Sequence, residues 1–503
     1  MAKVKTQDNA FFGHPRPLSS LFFTEMWERF SFYGIRPLLI LFMVATVNNN
    51  GLGIDAVTAS AIVGIFGGAI YLSALPGGWI ADNWLGQERS VWYGSLIIAF
   101  GHLSIALSAW LSVHFFYLGL IFIVIGSGLF KTCISVIVGM LYKEGDHRRD
   151  SGFSIFYMGI NLGAFLAPIV GGVLNKHFGW HAGFAVGGIG MLVALVIFRL
   201  KAMPAMDQFA ASEKIENDWG TPKVVTRSTK NWVIGAILFL MILFVGVSID
   251  WIPFSPTTIV NYTTVIILVS VIAYFLGLFF FAKLTKKERF QLIICLILFI
   301  AAAFFWSAFE QQPTSMNLFV DSYTDRHILG YEVPTEWFQS VNSIFIILFA
   351  PIFAAVWPLM NRYHVEPSSI TKFALGLFFA ALGFVCLYIA STMVVSGEAL
   401  ASPSWMIACM LFLTFGELCL SPVGLSIMTK IAPKMIRGQI MGLWFASLSL
   451  GNLVASKVGG NVKADTIADL PGIFYTIIVA LVIVGVILLL INIPIRRIDK
   501  QLD

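Results

Sequence analysis

Residues 25–36 read Glu25-Met26-Trp27-Glu28-Arg29-Phe30-Ser31-Phe32-Tyr33-Gly34-Ile35-Arg36, and they interrupt the first hydrophobic segment of a strongly apolar chain. Four charges fall in this stretch: Glu25, Glu28, Arg29 and Arg36. At about 100° per residue, positions 25, 28, 29, 32 and 36 share one face of a helix. The rise from 25 to 36 is roughly 16 Å, about half the hydrocarbon thickness of a bilayer. Ionisable groups at that depth are costly, so they face a polar pathway and pair with one another. The stretch reads as a proton or ion relay.

The surroundings support a membrane setting. The chain has 503 residues, of which 58% are hydrophobic and 12% charged, with a mean hydropathy of +0.84. A soluble protein carries about 25% charged residues, so the fold class is all-α and polytopic. Residues 1–17 are polar, and no cleavable leader is expected. Cys133, Cys295, Cys386, Cys409 and Cys419 lie in apolar runs without metal spacing and read as packing residues. No phosphate-binding loop, dinucleotide fingerprint or HExxH occurs. Transport would therefore run on an existing gradient, and no enzyme constellation is visible.

Apolar runs of spanning length occur at 18–47, 56–80, 90–110, 114–142, 152–175 and 181–200. After a polar stretch at 201–230, they resume at 231–249, 259–282, 290–311, 337–360, 371–395, 403–431, 438–458 and 471–495. Fourteen transmembrane helices are predicted. They divide into an N-terminal six-helix bundle (1–200), a cytoplasmic linker (201–230), two additional helices (231–285) and a C-terminal six-helix bundle (286–503). Two such bundles place a substrate site between them at the midplane. The added pair has no charge inside its runs apart from Asp250 and reads as lipid-facing. Residues 312–336 read as the longest outer loop. With the N-terminus inside, only Lys176, Arg326, Lys457 and Lys463 of the 32 Lys and Arg fall outside. Arg29, Arg36 and Lys131 lie within the membrane, and the rest are cytoplasmic.

The intramembrane charges beyond the first helix are Lys131, Glu310 and Glu417. Four acids against three bases nearly cancel, as expected of groups sharing a cavity. As inert ion pairs they would add little stability over apolar packing, and seven are many for a chain this poor in charge. Arg36 and Lys131, from the first bundle, would clamp a carboxylate. Glu310 and Glu417, from the second, would hold an ammonium, so that a zwitterion bridges the halves. Among polar groups in apolar helices, Asn161 and Asn342 need partners more than Tyr33, Tyr71, Tyr157, Trp306 and Trp444, which serve equally as packing. Gly77-Gly78-Trp79-Ile80-Ala81-Asp82 reads as a packing hinge, with Asp82 placed to cap a neighbouring helix.

Three motifs now fall into one order. Residues 25–33 resemble the ExxERFxYY motif of proton-dependent oligopeptide transporters (POT/PTR), a branch of the major facilitator superfamily. Phe156-Tyr157-Met158-Gly159-Ile160-Asn161-Leu162-Gly163 resembles that family's FYxxINxG signature, and Gly416-Glu417-Leu418 its GEL motif. The resemblance covers the whole chain and implies the major-facilitator fold, with the two extra helices of prokaryotic members. It implies proton coupling through Glu25, Glu28, Arg29, Glu310 and Lys131. Arg36 and Lys131 would meet a peptide carboxylate, and Glu417 with Asn342 the peptide amine. Glu310 would pair with Arg36 and release it on protonation. Tyr33, Tyr71, Tyr157, Asn161, Trp306, Ser421 and Trp444 would line the pocket. Two departures stand out: Phe32 replaces the first Tyr of the motif, and Thr132-Cys133 replaces a Pro-Asn pair after the Lys.

The function implied is a proton-coupled symporter importing di- and tripeptides by alternating access. It would sit in the cytoplasmic (inner) membrane, multi-pass, with both termini cytoplasmic. Protons are its coupling ion; no cofactor, metal or nucleic acid is expected. The alternatives are a transporter of nitrate or another small anion, which has no use for Glu417, and a non-transporting nutrient sensor.

Overall fold

A computed structural model shows a chain built almost wholly of helices. It describes residues 10–143, 146, 148–213, 219, 225–249, 251–253, 255–282, 284–397, 400–431, 440–460 and 468–502. Asp250 and Lys463 lie outside the described residues. In chain order the helices are α1 (Pro17–Val44), α2 (Ala56–Ile80), α3 (Gln87–Leu107), α4 (Val113–Met140), α5 (Arg149–Phe178), α6 (Trp180–Ile197), α7 (Met203–Glu213) and α8 (Arg227–Ser248). There follow α9 (Pro256–Phe281), α10 (Lys286–Phe309), α11 (Asn317–Tyr323), α12 (Trp337–Arg362), α13 (Ser369–Val395), α14 (Pro403–Ile431), α15 (Ile440–Gly459) and α16 (Leu470–Leu502). One small antiparallel hairpin pairs His327 with Glu332.

Among the described residues, 12 helical stretches are long and apolar enough to cross a membrane. Charge-bearing α1, of 28 residues, and α15, of 20, complete the fourteen. The chain is thus an all-α polytopic membrane protein. All five cysteines are unpaired and buried.

Two stretches differ from the reading of the sequence. Residues 312–323, expected in an outer loop, belong to a single span running from Lys286 to Tyr323. Here α10 ends at Glu310, a π-turn covers Gln312–Met316, and α11 resumes the helix. Pro313 falls in the first turn of the new segment, where its missing N–H is not required. Two of its polar side chains bond locally: Ser315 Oγ donates to Gln311 Oε1 at 2.6 Å and Gln311 Nε2 to the Ser307 carbonyl at 3.3 Å. Glu310 therefore sits at a break between two helical segments. The second difference lies in the expected linker, where α7 continues from α6 through a π-turn and buries Met206, Phe209 and Ala210.

The helices group into two compact units. One comprises residues 1–38 and 72–255, the other residues 39–71 and 256–503. The boundaries cut α1 after Leu38 and α2 after Tyr71, and they assign α8 to the first unit and α9 to the second. In the first unit, α3 and α4 meet backbone to backbone. A Cβ on Gly94 would stand 2.7 Å from the Gly126 carbonyl, and one on Gly126 2.6 Å from the Gly94 carbonyl. Gly128, two residues on, presses against the Ser73 carbonyl of α2, so α4 is wedged between two helices just before Lys131. Gly77 meets Gly128 in the same crossing, which bears out a packing role. Among the described residues Asp82 accepts from the Gln87 side chain at 2.7 Å rather than capping a helix, while Gly86 stands at the N-cap of α3. In the second unit, Gly64, Gly67 and Gly68 of α2 lie against Ser456, Asn452 and Ser449 of α15.

The segment before α1 is strapped to the α4–α5 turn. His14 Nδ1 meets the Tyr142 hydroxyl at 2.9 Å and its Nε2 meets Ser151 Oγ at 3.3 Å. Arg148 Nη1 donates to the Gly13 carbonyl at 3.1 Å and is held by Asp146. Burial, then the Arg148 charge, holds the His14 pKa below its ordinary 6.5, against the opposing pull of Asp146. The undocked segment therefore takes a proton more readily than the docked one. Docking is full above about pH 6.5 and weakens as pH falls below it. Hydrogen exchange over residues 10–16, corrected for intrinsic rates, should quicken between about pH 7.5 and 5.5. In His14→Gln it should lose that dependence; unchanged protection in the unsubstituted protein across this range refutes the assignment.

Candidate functional site

The first cluster grows from α1. Its spacing of 25, 28 and 29 puts two carboxylates around one guanidinium: Arg29 Nε lies 3.1 Å from Glu25 Oε1 and 2.5 Å from Glu28 Oε2. Exposure is 3% at Glu25, 1% at Glu28 and 5% at Arg29, so water does not screen the three. Lys131, half-buried on α4, acts electrostatically on Glu25. Two acids balanced by Arg29 and Lys131 keep the cluster near neutrality, as low-dielectric surroundings demand.

The α5 signature owes its glycine to this cluster. A Cβ on Gly163 would strike the Met26 carbonyl and stand 3.2 Å from Arg29 Cβ. No larger residue lets α5 lie so close to the turn that carries the acids. Asn161 Nδ2 donates to the Tyr157 carbonyl at 2.9 Å, so this buried amide finds its partner one turn back on its own helix. Tyr157 itself is exposed.

Further along α1, Arg36 stands over the rings of Phe32 and Tyr33, at 6.0 and 5.9 Å from their centroids. Arg36, Tyr33 and, in the second unit, Tyr71 are half-buried.

The second cluster joins α10, α12, α14 and α15. Asn342 Nδ2 donates to Thr414 Oγ1 at 2.9 Å and to Glu417 Oε2 at 3.4 Å. Thr414 Oγ1 in turn donates to the Met410 carbonyl at 2.7 Å. Gly416 brings α14 against α13, where a Cβ would lie 2.7 Å from the Gly376 carbonyl. Trp306 and Trp444 pack edge to face with centroids 6.4 Å apart, and Ser421 is half-buried. Glu310 is buried at the end of α10, one turn beyond Trp306.

The expected sites thus fall into two groups: Glu25, Glu28, Arg29 and Lys131 in one unit, Asn342, Glu417, Trp306 and Trp444 in the other. Two participants were absent from the sequence reading. Thr414 is a plain i−3 neighbour of Glu417 and carried no charge to flag it. His102 carried a signal, a lone imidazole in an apolar helix; it is buried, with Nε2 2.6 Å from Ser31 Oγ.

Buried acids and bases within a many-span helical protein mark substrate or ion pathways of the kind transporters use. A model of the POT family (PTR2) matches residues 88–471, and the chain belongs to that family. It is 55% identical over 488 residues to the peptide transporter YePEPT of Yersinia enterocolitica subsp. palearctica, covering 97% of this chain and 96% of that one. It is 33% identical to a di-/tripeptide transporter of Lactococcus lactis subsp. cremoris, over 99% of both. A crystal structure of a peptide transporter POT in complex with sulfate matches with a TM-score of 0.88 at 37% identity, over 98% of this chain and 97% of that one. These relatives are transporters, not enzymes.

Removing Arg29 leaves two buried carboxylates facing each other, a change worth about 3–5 kcal/mol. Arg29→Met should therefore lower the thermal midpoint in detergent sharply. Adding Glu25→Gln and Glu28→Gln should restore most of it. A single variant as stable as the unsubstituted protein sinks the neutralisation argument.

Proposed function

We propose that this chain is a proton-coupled symporter importing di- and tripeptides by alternating access, in the cytoplasmic membrane with both termini inside. The observation that carries the reading is where the candidate ligands of a peptide's two ends fall. One unit holds the cations Arg36 and Lys131, and the other holds Glu310 and the Asn342–Glu417 pair. A peptide presents a carboxylate at one end and an ammonium at the other, so each end has its own unit to recognise it. The related transporters of peptides and di-/tripeptides support the same substrate class. A small inorganic anion would use the cations and leave Glu417 without a role.

In this reading Arg36 and Lys131 take the carboxylate, and Glu417, oriented by Asn342, takes the amine. Tyr33, Tyr71, Tyr157, Asn161, Trp306, Ser421 and Trp444 form the walls. The buried Trp306 indole N–H has no acceptor among the described residues and is a donor left for the substrate. Glu25, Glu28 and Arg29 carry the proton with Lys131. A proton neutralises Glu310, which changes the relative stability of the states that take up and release peptide. That is a shift of population driven by differential affinity. The proton is the only coupling ion, and no cofactor takes part. One proton crossing 100 mV supplies about 2.3 kcal/mol, roughly a 50-fold peptide gradient.

Reconstituted protein should take up a labelled dipeptide under an imposed pH gradient, with unlabelled di- and tripeptides competing and nitrate not. Glu310→Gln should abolish gradient-driven accumulation yet retain counterflow exchange. Normal accumulation by that variant overturns the coupling role of Glu310.

A further inference from the structure

Phe32, the position at which the first motif departs from its family pattern, stands between the two working ends of α1. Arg29, Phe32 and Arg36 follow one another at i, i+3 and i+7, on one helix face. The Arg29 guanidinium carbon lies 5.5 Å from the Phe32 ring centroid and that of Arg36 6.0 Å. Tyr33 packs edge to face with the same ring at 5.1 Å and supplies a second surface for Arg36 at 5.9 Å. One aromatic ring is therefore shared by the guanidinium of the buried acid pair and the guanidinium assigned to the substrate carboxylate.

The physics of that sharing is directional. A ring face carries the negative lobe of a quadrupole and attracts a cation within about 6 Å. Arg29 divides its attraction between Phe32 and the carboxylates of Glu25 and Glu28. When a proton neutralises one carboxylate, the charge of Arg29 is less compensated on that side, and its hold on the ring grows. Arg36, held against the same ring, then meets a stronger positive field, which favours its pairing with an anion. Around the acid pair, α1 also presents Tyr33, α4 presents Lys131, α3 presents His102 through Ser31, and α5 presents the bare backbone of Gly163.

We propose that Phe32 is a positioning residue that transmits the protonation of Glu25 and Glu28 to the carboxylate affinity of Arg36. It does so by holding Arg29 and Arg36 against one aromatic ring. This rests on the reading of the chain as a proton-coupled peptide symporter.

The test compares Phe32→Leu, Phe32→Tyr and a series in which position 32 carries mono-, tri- or pentafluorinated phenylalanine. Fluorination drains the quadrupole at nearly constant shape, so it separates ring electrostatics from packing and stays informative where the leucine variant folds poorly. The readouts are the dipeptide KM in counterflow at about pH 6.0 and 7.5, and proton-driven accumulation. Phe32→Leu should raise KM by about 3- to 10-fold, the worth of one cation–π contact. It should also bring the ratio of the two KM values toward one. Phe32→Tyr should keep the ratio, and the fluorinated series should lower it step by step. A pentafluorinated protein with the unsubstituted ratio overturns the role of Phe32. Absence of dipeptide uptake by the unsubstituted protein would instead overturn the symporter reading, so the two failures are told apart.

Discussion

The architecture rests on one electrostatic constraint: charge that enters a low-dielectric interior must be answered within a few ångströms. Arg29 between Glu25 and Glu28 is the clearest instance, three ionisable groups almost without water. An isolated carboxylate there would cost several kcal/mol, so the helices that bring compensation must approach closely. Gly163 lets α5 in against the acidic turn, and the Gly126 and Gly128 contacts wedge α4 so that Lys131 acts on Glu25. Two of the sequence motifs are therefore halves of one device. The first supplies charge, and the second supplies the small residue that lets a neighbour close over it.

The second unit answers the same constraint with hydrogen bonds. Glu417 is reached by an amide, Asn342, which is steered by Thr414. An acid approached by a neutral donor keeps more of its charge available to a ligand than an acid locked to a guanidinium. This contrast gives the two units different chemical characters, although both are bundles of apolar helices.

Much of this was legible in the sequence because membrane-depth charge is rare enough to mean something wherever it falls. Glu25, Glu28, Arg29, Lys131 and Glu417 were found by that rule alone. The same rule applied to imidazoles would have found His102. The break at Glu310 was hidden because Gln311-Gln312-Pro313-Thr314-Ser315 has the composition of a loop. It is helical rather than a loop, with Gln311 and Ser315 bonding to the backbone and to each other, local bonds that no linear pattern reports. The division of α2 between two units depends on contacts with residues far along the chain, such as Gly67 against Asn452. Local propensity carries no trace of such pairings.

The helix α8 buries only 6% of its apolar window, whereas the spans containing α10 and α13 each bury 61%. A helix with so little protein of its own chain against it, among the described residues, is constrained mainly through hydrophobicity and length. Its sequence is free to drift among Leu, Ile, Val, Phe and Met at nearly constant fitness. Helices such as α3 and α4, held together by close glycine contacts, have no such freedom. Within one chain, then, the rate of sequence change should rise and fall with the share of each helix that touches protein.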